Sequence, residues 1–319
     1  MYLDADDPML APISLRRELV AAGESDHSLA RALRSGALER PRRGAYTDGP
    51  AWRSMTDEQR YAVRCRAAYR QASAEVCLSH ASALPLLGAP VWDVDLTDVH
   101  LTRLDGRTGR REAGINQHRG AVGEGDILSE HDYRISSPLR AALEITTMAS
   151  VESSLVAVNF FLHRRDFTPS QLRDSYVKFE RWPGSLKSDL VVRLADPRIE
   201  SPGESRTAYF LWRFSFQSFE PQYEISDRGE LIALLDFALP DHKIWIEFDG
   251  RVKYQKYLKA GEDATTVVLR EKRREERVAE ITRWRCLRVT WADLAHPERL
   301  AARLRKLIDS MSARVISVR

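Results

Sequence analysis

The stretch LLDFALPDHKIWIEFDG, residues 234–250, holds Asp236, Glu247 and Asp249 at spacings that could do chemistry. Apolar residues alternate on both sides of the turn-forming cluster Pro240, Asp241, His242, Lys243, so the stretch reads as two strands of a hairpin. A loop centred between Asp241 and His242 puts Asp236 directly opposite Glu247. Period-two alternation then gathers Leu234, Asp236, Ala238, Trp245, Glu247 and Asp249 on one face. Leu235, Phe237, Leu239, Ile244, Ile246 and Phe248 make a wholly apolar opposite face, expected to be core. Carboxylates opposed across a ladder have Cβ atoms about 4.5–5.5 Å apart, where like charges repel. A shared divalent cation relieves that repulsion, and so does protonation of one carboxyl. The plainer reading is a solvated acidic face on an exposed sheet. Hard oxygen donors of this kind suit Mg²⁺ or Mn²⁺.

The elements that must position these acids begin near Asp196. A helix is expected from Pro202 to about Trp212, then strands over PQYEIS, LIALLDFAL and KIWIEFDG. A charged helix from about Leu269 to Thr282, a strand at CLRVTW and a last helix over HPERLAARLRKLIDS follow. Alternating strands and helices signal an α/β core. In Ser201, Pro202, Gly203, Glu204 the serine is a good N-cap and the glutamate falls at N3, a capping box that needs no metal. The run from Arg270 to Arg277 spaces Glu271, Glu275 and Glu276 to pair with Lys272, Arg273 and Arg274, which reads as a solvated, salt-bridged helix face. Arg288 lies inside an apolar strand pattern, either facing the carboxylates, to balance them or hold a phosphate, or pointing to solvent.

On IESPGESR, LLDFALPD, IEFDGRVKY, EKRREE and LRVTWADL, this third segment resembles PD-(D/E)XK nuclease-like domains over about Arg198 to Leu294. The likeness is specifically to the group similar to very-short-patch repair endonucleases. The resemblance implies a restriction-endonuclease-like core that hydrolyses phosphodiester bonds in DNA. It makes Asp236 and Glu247 the metal-binding pair and Glu204 the acid contributed by the first helix, with Asp249 assisting. Where the name-giving motif has lysine, this chain has Asp249, so a lysine must come from elsewhere; Lys253 and Lys272 are best placed by sequence. The missing lysine also favours an alternative, an antitoxin-like or autoregulatory DNA-binding protein whose nuclease fold is inactive. Arg283 stands where the family often has glycine at the end of the helix.

The first segment, to about Gly49, shows helical patterns at Ser14 to Ala22 and His27 to Ser35, then the strand-like ALERPRRGAYTD. Helix, turn, helix and basic hairpin is the layout of a winged helix-turn-helix. HSLARALRSGALERPRRGAY resembles the winged-helix domain of AbiEi-type antitoxins, which implies DNA, and a partner protein such as a toxin, as binding partners. Arg31 and Arg34 share a helix face and could reach base edges; Arg40, Arg42 and Arg43 on the wing would contact phosphates.

The middle, residues 51–195, opens with a helix expected from Thr56 to about Ala72, with Ser54 and Asp57 as a weak capping box. It continues through strand and turn material to helical patterns at SPLRAALEITTMA and SLVAVNFFLHRR. His80, His100 and His118 are too scattered to read as a metal site. The expected organisation is therefore mixed α/β: a winged-helix domain over 1–50, an α+β domain over 51–195 and a nuclease-like α/β domain over 196–319.

Composition agrees with a globular protein. Of 319 residues, 43% are hydrophobic and 30% charged, away from disordered or fibrous classes. The formal net charge of +3 is too small to mark the whole surface as a nucleic-acid footprint, so that claim rests on local clusters. Cys65, Cys77 and Cys286 form no C-x-x-C pair, which points to reduced thiols. No apolar run approaches the ~18 residues of a membrane span, and the acidic start MYLDADDPML lacks a secretory pattern, so a cytoplasmic location is expected.

Overall fold

The computed structural model describes residues 2–216, 218–250 and 264–316. They form a mixed α/β fold with three sheets and divide into two compact units, Met1–Ala195 and Asp196–Arg319.

The first unit begins with strand β1 (Ser14–Leu15), helices α1 (Arg16–Ala21) and α2 (Asp26–Ser35), and a hairpin of β2 (Leu38–Arg42) and β3 (Ala45–Asp48). The three strands form a sheet of order β1-β3-β2. Strand β1 occupies residues that the sequence assigns to a helix. Ser25 caps α2 by accepting from the Ser28 amide, and Gly36, at φ 73°, ends it in the left-handed conformation that favours glycine.

Helices α3 (Gly49–Ser54) and α4 (Asp57–Gln71) follow. The N-cap of α4 is Thr56 with Gln59 at N3, rather than Ser54 with Asp57. Val63 and Ala67 of α4 share a core with Ile13, Leu15 and Ala45, so residues 1–50 pack into one unit with residues 51–195.

A second, mixed sheet of order β6-β7-β5-β4-β9-β8 is built from β4 (Val76–Leu78), β5 (Val99–Arg103), β6 (Arg111–Glu112), β7 (Ile115–Arg119), β8 (Ile127–Glu130) and β9 (Tyr133–Ser136). Four helices complete the unit: α5 (Pro138–Met148), α6 (Val151–His163), α7 (Pro169–Phe179) and α8 (Ser188–Leu194).

The second unit is a four-stranded sheet between helices. Its order in the chain is α9 (Pro202–Arg213), β10 (Glu220–Asp227), β11 (Glu230–Leu239), β12 (Ile244–Phe248), α10 (Ala264–Thr282), β13 (Arg285–Val289), α11 (Trp291–Leu294) and α12 (Pro297–Ile316). The strands lie in the order β10-β11-β12-β13; the first three are antiparallel and β13 runs parallel to β12. Phe237, Leu239, Ile244, Ile246, Phe248, Leu287 and Val289 bury one face against α9, α11 and α12. Trp245, Leu235 and Ala233 meet Val278 of α10 on the other. Helices on both faces leave little of this sheet wet.

The hairpin register is the one its alternation requires: Phe237 pairs with Ile246, Ala238 with Trp245 and Leu239 with Ile244. Lys243, at φ 55°, closes the turn. The ladder stops short of Asp236, however, and alternation fails there. Leu235 belongs to the core under α10 and Phe237 to the opposite core, although the two share a parity. The neighbouring strand is irregular at the same level. Gln222, the residue across from Asp236, takes φ 52°, and the β10–β11 register, unbroken from Pro221 to Tyr223, shifts further on between Ile225 and Ser226. A left-handed residue in a strand reverses the pleat locally.

Candidate functional site

Glu204 lies in the first turn of α9 and is 4% exposed. Its Oε1 accepts from the Ser201 hydroxyl at 2.7 Å, and its Oε2 from the Glu200 amide at 3.0 Å and from Gln222 Nε2 at 3.3 Å. Ser201 caps α9 by accepting from the Glu204 amide, and the carboxylate holds the Glu200 amide just ahead of that cap while also bonding to the irregular residue of β10. Gly203 beside it is required by close approach. A Cβ there would fall 2.0 Å from the Phe248 ring, so only glycine lets the start of α9 reach the end of β12.

Asp236 is 9% exposed, and its Oδ2 accepts from the Phe248 amide at 2.7 Å. The side chain therefore reaches across to β12 just past Glu247 instead of standing in a regular cross-strand pair. Glu247 lies on the α10 side of the sheet, with its carboxylate 3.5 Å from Arg274 Nη2. In the parallel register it sits beside Arg288. Arg288 Nη1 is 3.8 Å from Asp249, and its Nη2 donates to Glu275. That bond raises the Arg288 pKa above its ordinary value. Arg288 thus faces the acids and balances them. Arg274 and Glu275 reach the sheet, which corrects the expectation of a solvated, salt-bridged face at these two positions. Lys272 does stay outside, exposed and 4.0 Å from Glu276 one turn on. Lys253 lies outside the described residues.

The donor chemistry of Asp236 and Glu247 fits a hard cation, because Mg²⁺ keeps several waters and needs only one or two carboxylates. Among the described residues, no three His, Cys, Asp or Glu side chains gather into a group able to hold a metal ion.

In the first unit, Arg31 and Arg34 are exposed on α2, Arg40 on β2 and Arg43 at the hairpin turn. Arg42 differs. It is half-buried, its Nε is enclosed without a hydrogen-bond partner, and burial lowers its pKa. It is therefore placed inward, away from the open wing surface where a phosphate contact was expected.

The fold also assembles a cluster that sequence spacing could not show. The His80 and His118 rings stack with centroids 3.7 Å apart, and His100 lies 5.1 Å from His118. His100 Nδ1 and His118 Nε2 are 2.9 Å apart. Parallel pairing of β5 with β7 brings the last two together, since Thr102 is the partner of His118. Burial holds His80 well below the usual histidine range and, with His100 alongside, brings His118 down to about 4. Burial also lowers His100. Beneath them Glu144, fully buried, accepts from the His80 amide, Ser136 Oγ and Arg140 Nε. Arg140 also reaches Asp126 and lies over Phe179 and Trp182.

No protein-family model matches the chain, and no curated protein is significantly similar to it. Among the described residues, no helix is long and apolar enough to cross a membrane.

Proposed function

We propose that this is a DNA-binding protein whose second unit is a PD-(D/E)XK-like nuclease that hydrolyses phosphodiester bonds with Mg²⁺ or Mn²⁺. The observation that carries the reading is the meeting of Asp236 with the end of β12 beside Glu247, at a sheet position distorted by Gln222. Residues in sparsely populated backbone regions concentrate at functional sites because the surrounding fold must hold them there. The order α9-β10-β11-β12-α10-β13, with only the last strand pair parallel, agrees with the nuclease-like core that the motifs resemble.

In this reading Asp236 and Glu247 hold the cation, and Glu204 and Gln222 fix the approach of α9 and β10. Arg288 orients a phosphate or keeps the acids charged. The cation supplies charge neutralisation at the phosphoryl oxygens and a more acidic water. DNA contact by the first unit is supported by helix-turn-helix and hairpin connectivity, with Arg31, Arg34, Arg40 and Arg43 exposed.

A second reading, a DNA-binding regulator with an inactive nuclease fold and an antitoxin-like partner protein, is favoured by one specific feature. Arg274 and Arg288 already offset Glu247 and Asp249. Incubation of plasmid with the protein and Mg²⁺ or Mn²⁺, alongside Asp236→Asn and Glu247→Gln, decides between them. Nicking by the parent alone supports the enzyme. Promoter binding without nicking supports the regulator.

A further inference from the structure

Helix α12 packs Leu300, Leu304, Leu307 and Ile308 into the core of the second unit. Helical spacing gathers Arg299, Arg303 and Lys306 on one flank of it and leaves its acids, Glu298 and Asp309, outside that row. The flank adjoins β13. Arg303 Nη2 donates to the Arg288 carbonyl, and its Nη1 donates to Asp293 Oδ1 at 2.8 Å. The helix meets α11 past the end of β13, and it also meets the Pro240–His242 turn, next to which the Arg285 amide donates to the Lys243 carbonyl. It therefore runs back along the whole strand. Leu287 and Val289, of the same parity as Arg285, belong to the core that α12 covers, so Arg285 stands on the α12 side of the sheet.

These cations line an open edge, because β13 is the outer strand of its sheet. Arg285, Arg299 and Lys306 are exposed, and among the described residues none of the three side chains has an ion pair or a hydrogen bond. The charged face of α10 is built differently. There Lys272 lies 4.0 Å from Glu276 and Arg277 lies 3.6 Å from Glu280. A solvated face gains from such mixed pairing, whereas cations held in a row repel one another until a polyanion answers them. The dimensions agree with one. From Arg299 to Lys306 the helix rises about 10 Å, the axial span of about three phosphate steps on one strand of duplex DNA.

We propose that Arg285, Arg299 and Lys306 form a track for the phosphate backbone of duplex DNA along the outer edge of β13; this rests on the nucleic-acid reading given above. Arg303, tied to Asp293 and to the Arg288 carbonyl, positions the flank. Contacts of this kind hold the duplex in place and carry no sequence information.

The test uses the full chain in EDTA, so that binding is read without cleavage. A short fluorescein-labelled duplex is titrated at several salt concentrations with the parent and with two triple variants. One is Arg285→Gln, Arg299→Gln, Lys306→Gln. The other, Arg213→Gln, Arg228→Gln, Arg305→Gln, removes the same charge from exposed positions off the track. Anisotropy gives the affinity, and the slope of log affinity against log salt counts the phosphates neutralised. The track variant is expected to reduce that slope by up to about 3, and the control to keep the slope of the parent. A parent that binds no duplex overturns the nucleic-acid reading and this proposal together. A track variant that keeps the parent's slope, or two triples that reduce it equally, overturns the track and leaves DNA binding standing. Labelled poly-glutamate is titrated alongside. A track variant weakened toward poly-glutamate alone assigns the flank to an acidic protein and overturns DNA as its occupant. Should the track variant melt early, Lys306→Gln and Lys306→Arg replace it. A slope reduced by about 1 in the first alone supports the track, and equal slopes overturn it.

Discussion

Asp236 combines a structural and a chemical role that two substitutions separate. Its Oδ2 satisfies the buried Phe248 amide, and a buried donor left unsatisfied costs about 1–3 kcal/mol. Asp236→Ala is expected to lose that much stability, read as a lower midpoint in urea. Asp236→Asn keeps an acceptor oxygen and should melt close to the parent; in the nuclease reading both abolish nicking. The histidine stack gives a pH prediction with a definite sign. Its folded-state pKa values lie below the unfolded value of about 6.5, with His118 near 4. The unfolded chain therefore binds protons first. Stability is full above about 6.5 and falls as pH drops through that value toward 4. Melting of the first unit should shift down between pH 7 and pH 5, and His118→Phe should flatten the dependence. The hairpin that carries the acids was legible from its alternation and turn chemistry. The histidines were not, because a parallel ladder between β5 and β7 leaves no register mark in the sequence.

Among the elements, the hairpin of β11 and β12 was read correctly from Phe237 to Ile246, because alternating apolar positions on both strands admit few other registers. The reading failed at Asp236, level with the left-handed Gln222 on the adjacent strand, where Leu235 joins the opposite core. Nothing within residues 234–250 announces that. The inward turn of Arg274 and Glu275 was hidden for a similar reason. Helix periodicity shows which residues share a face, but not that the face meets Glu247 and Arg288. The junction of α9 with β12 makes a firm prediction. Gly203→Ala would drive a methyl into the Phe248 ring and should cost about 1–3 kcal/mol by overpacking, partly restored by Phe248→Leu in thermal melts. The end of α10 makes another. Arg283 stands at φ 60°, where a side chain is strained by about 1–2 kcal/mol. Arg283→Gly should raise the melting temperature, less the entropy that glycine adds to the unfolded chain.

At the scale of the whole molecule, two units with their own cores assign two separable tasks in the proposed function. Double substitution Arg40→Ala and Arg43→Ala should weaken duplex binding and, each removing one phosphate contact, reduce the slope of log affinity against log salt by up to about 2. The melting of the second unit should be untouched. A titration series at several salt concentrations checks both. The pairing of β12 with β13 has a consequence for biosynthesis. The strand bearing Glu247 finds its second neighbour only in Arg285–Val289, beyond the α10 crossover. A ribosome must translate past Val289 before that edge can close, so the emerging polypeptide passes most of its synthesis with Glu247 and Asp249 lacking the guanidinium of Arg288 beside them.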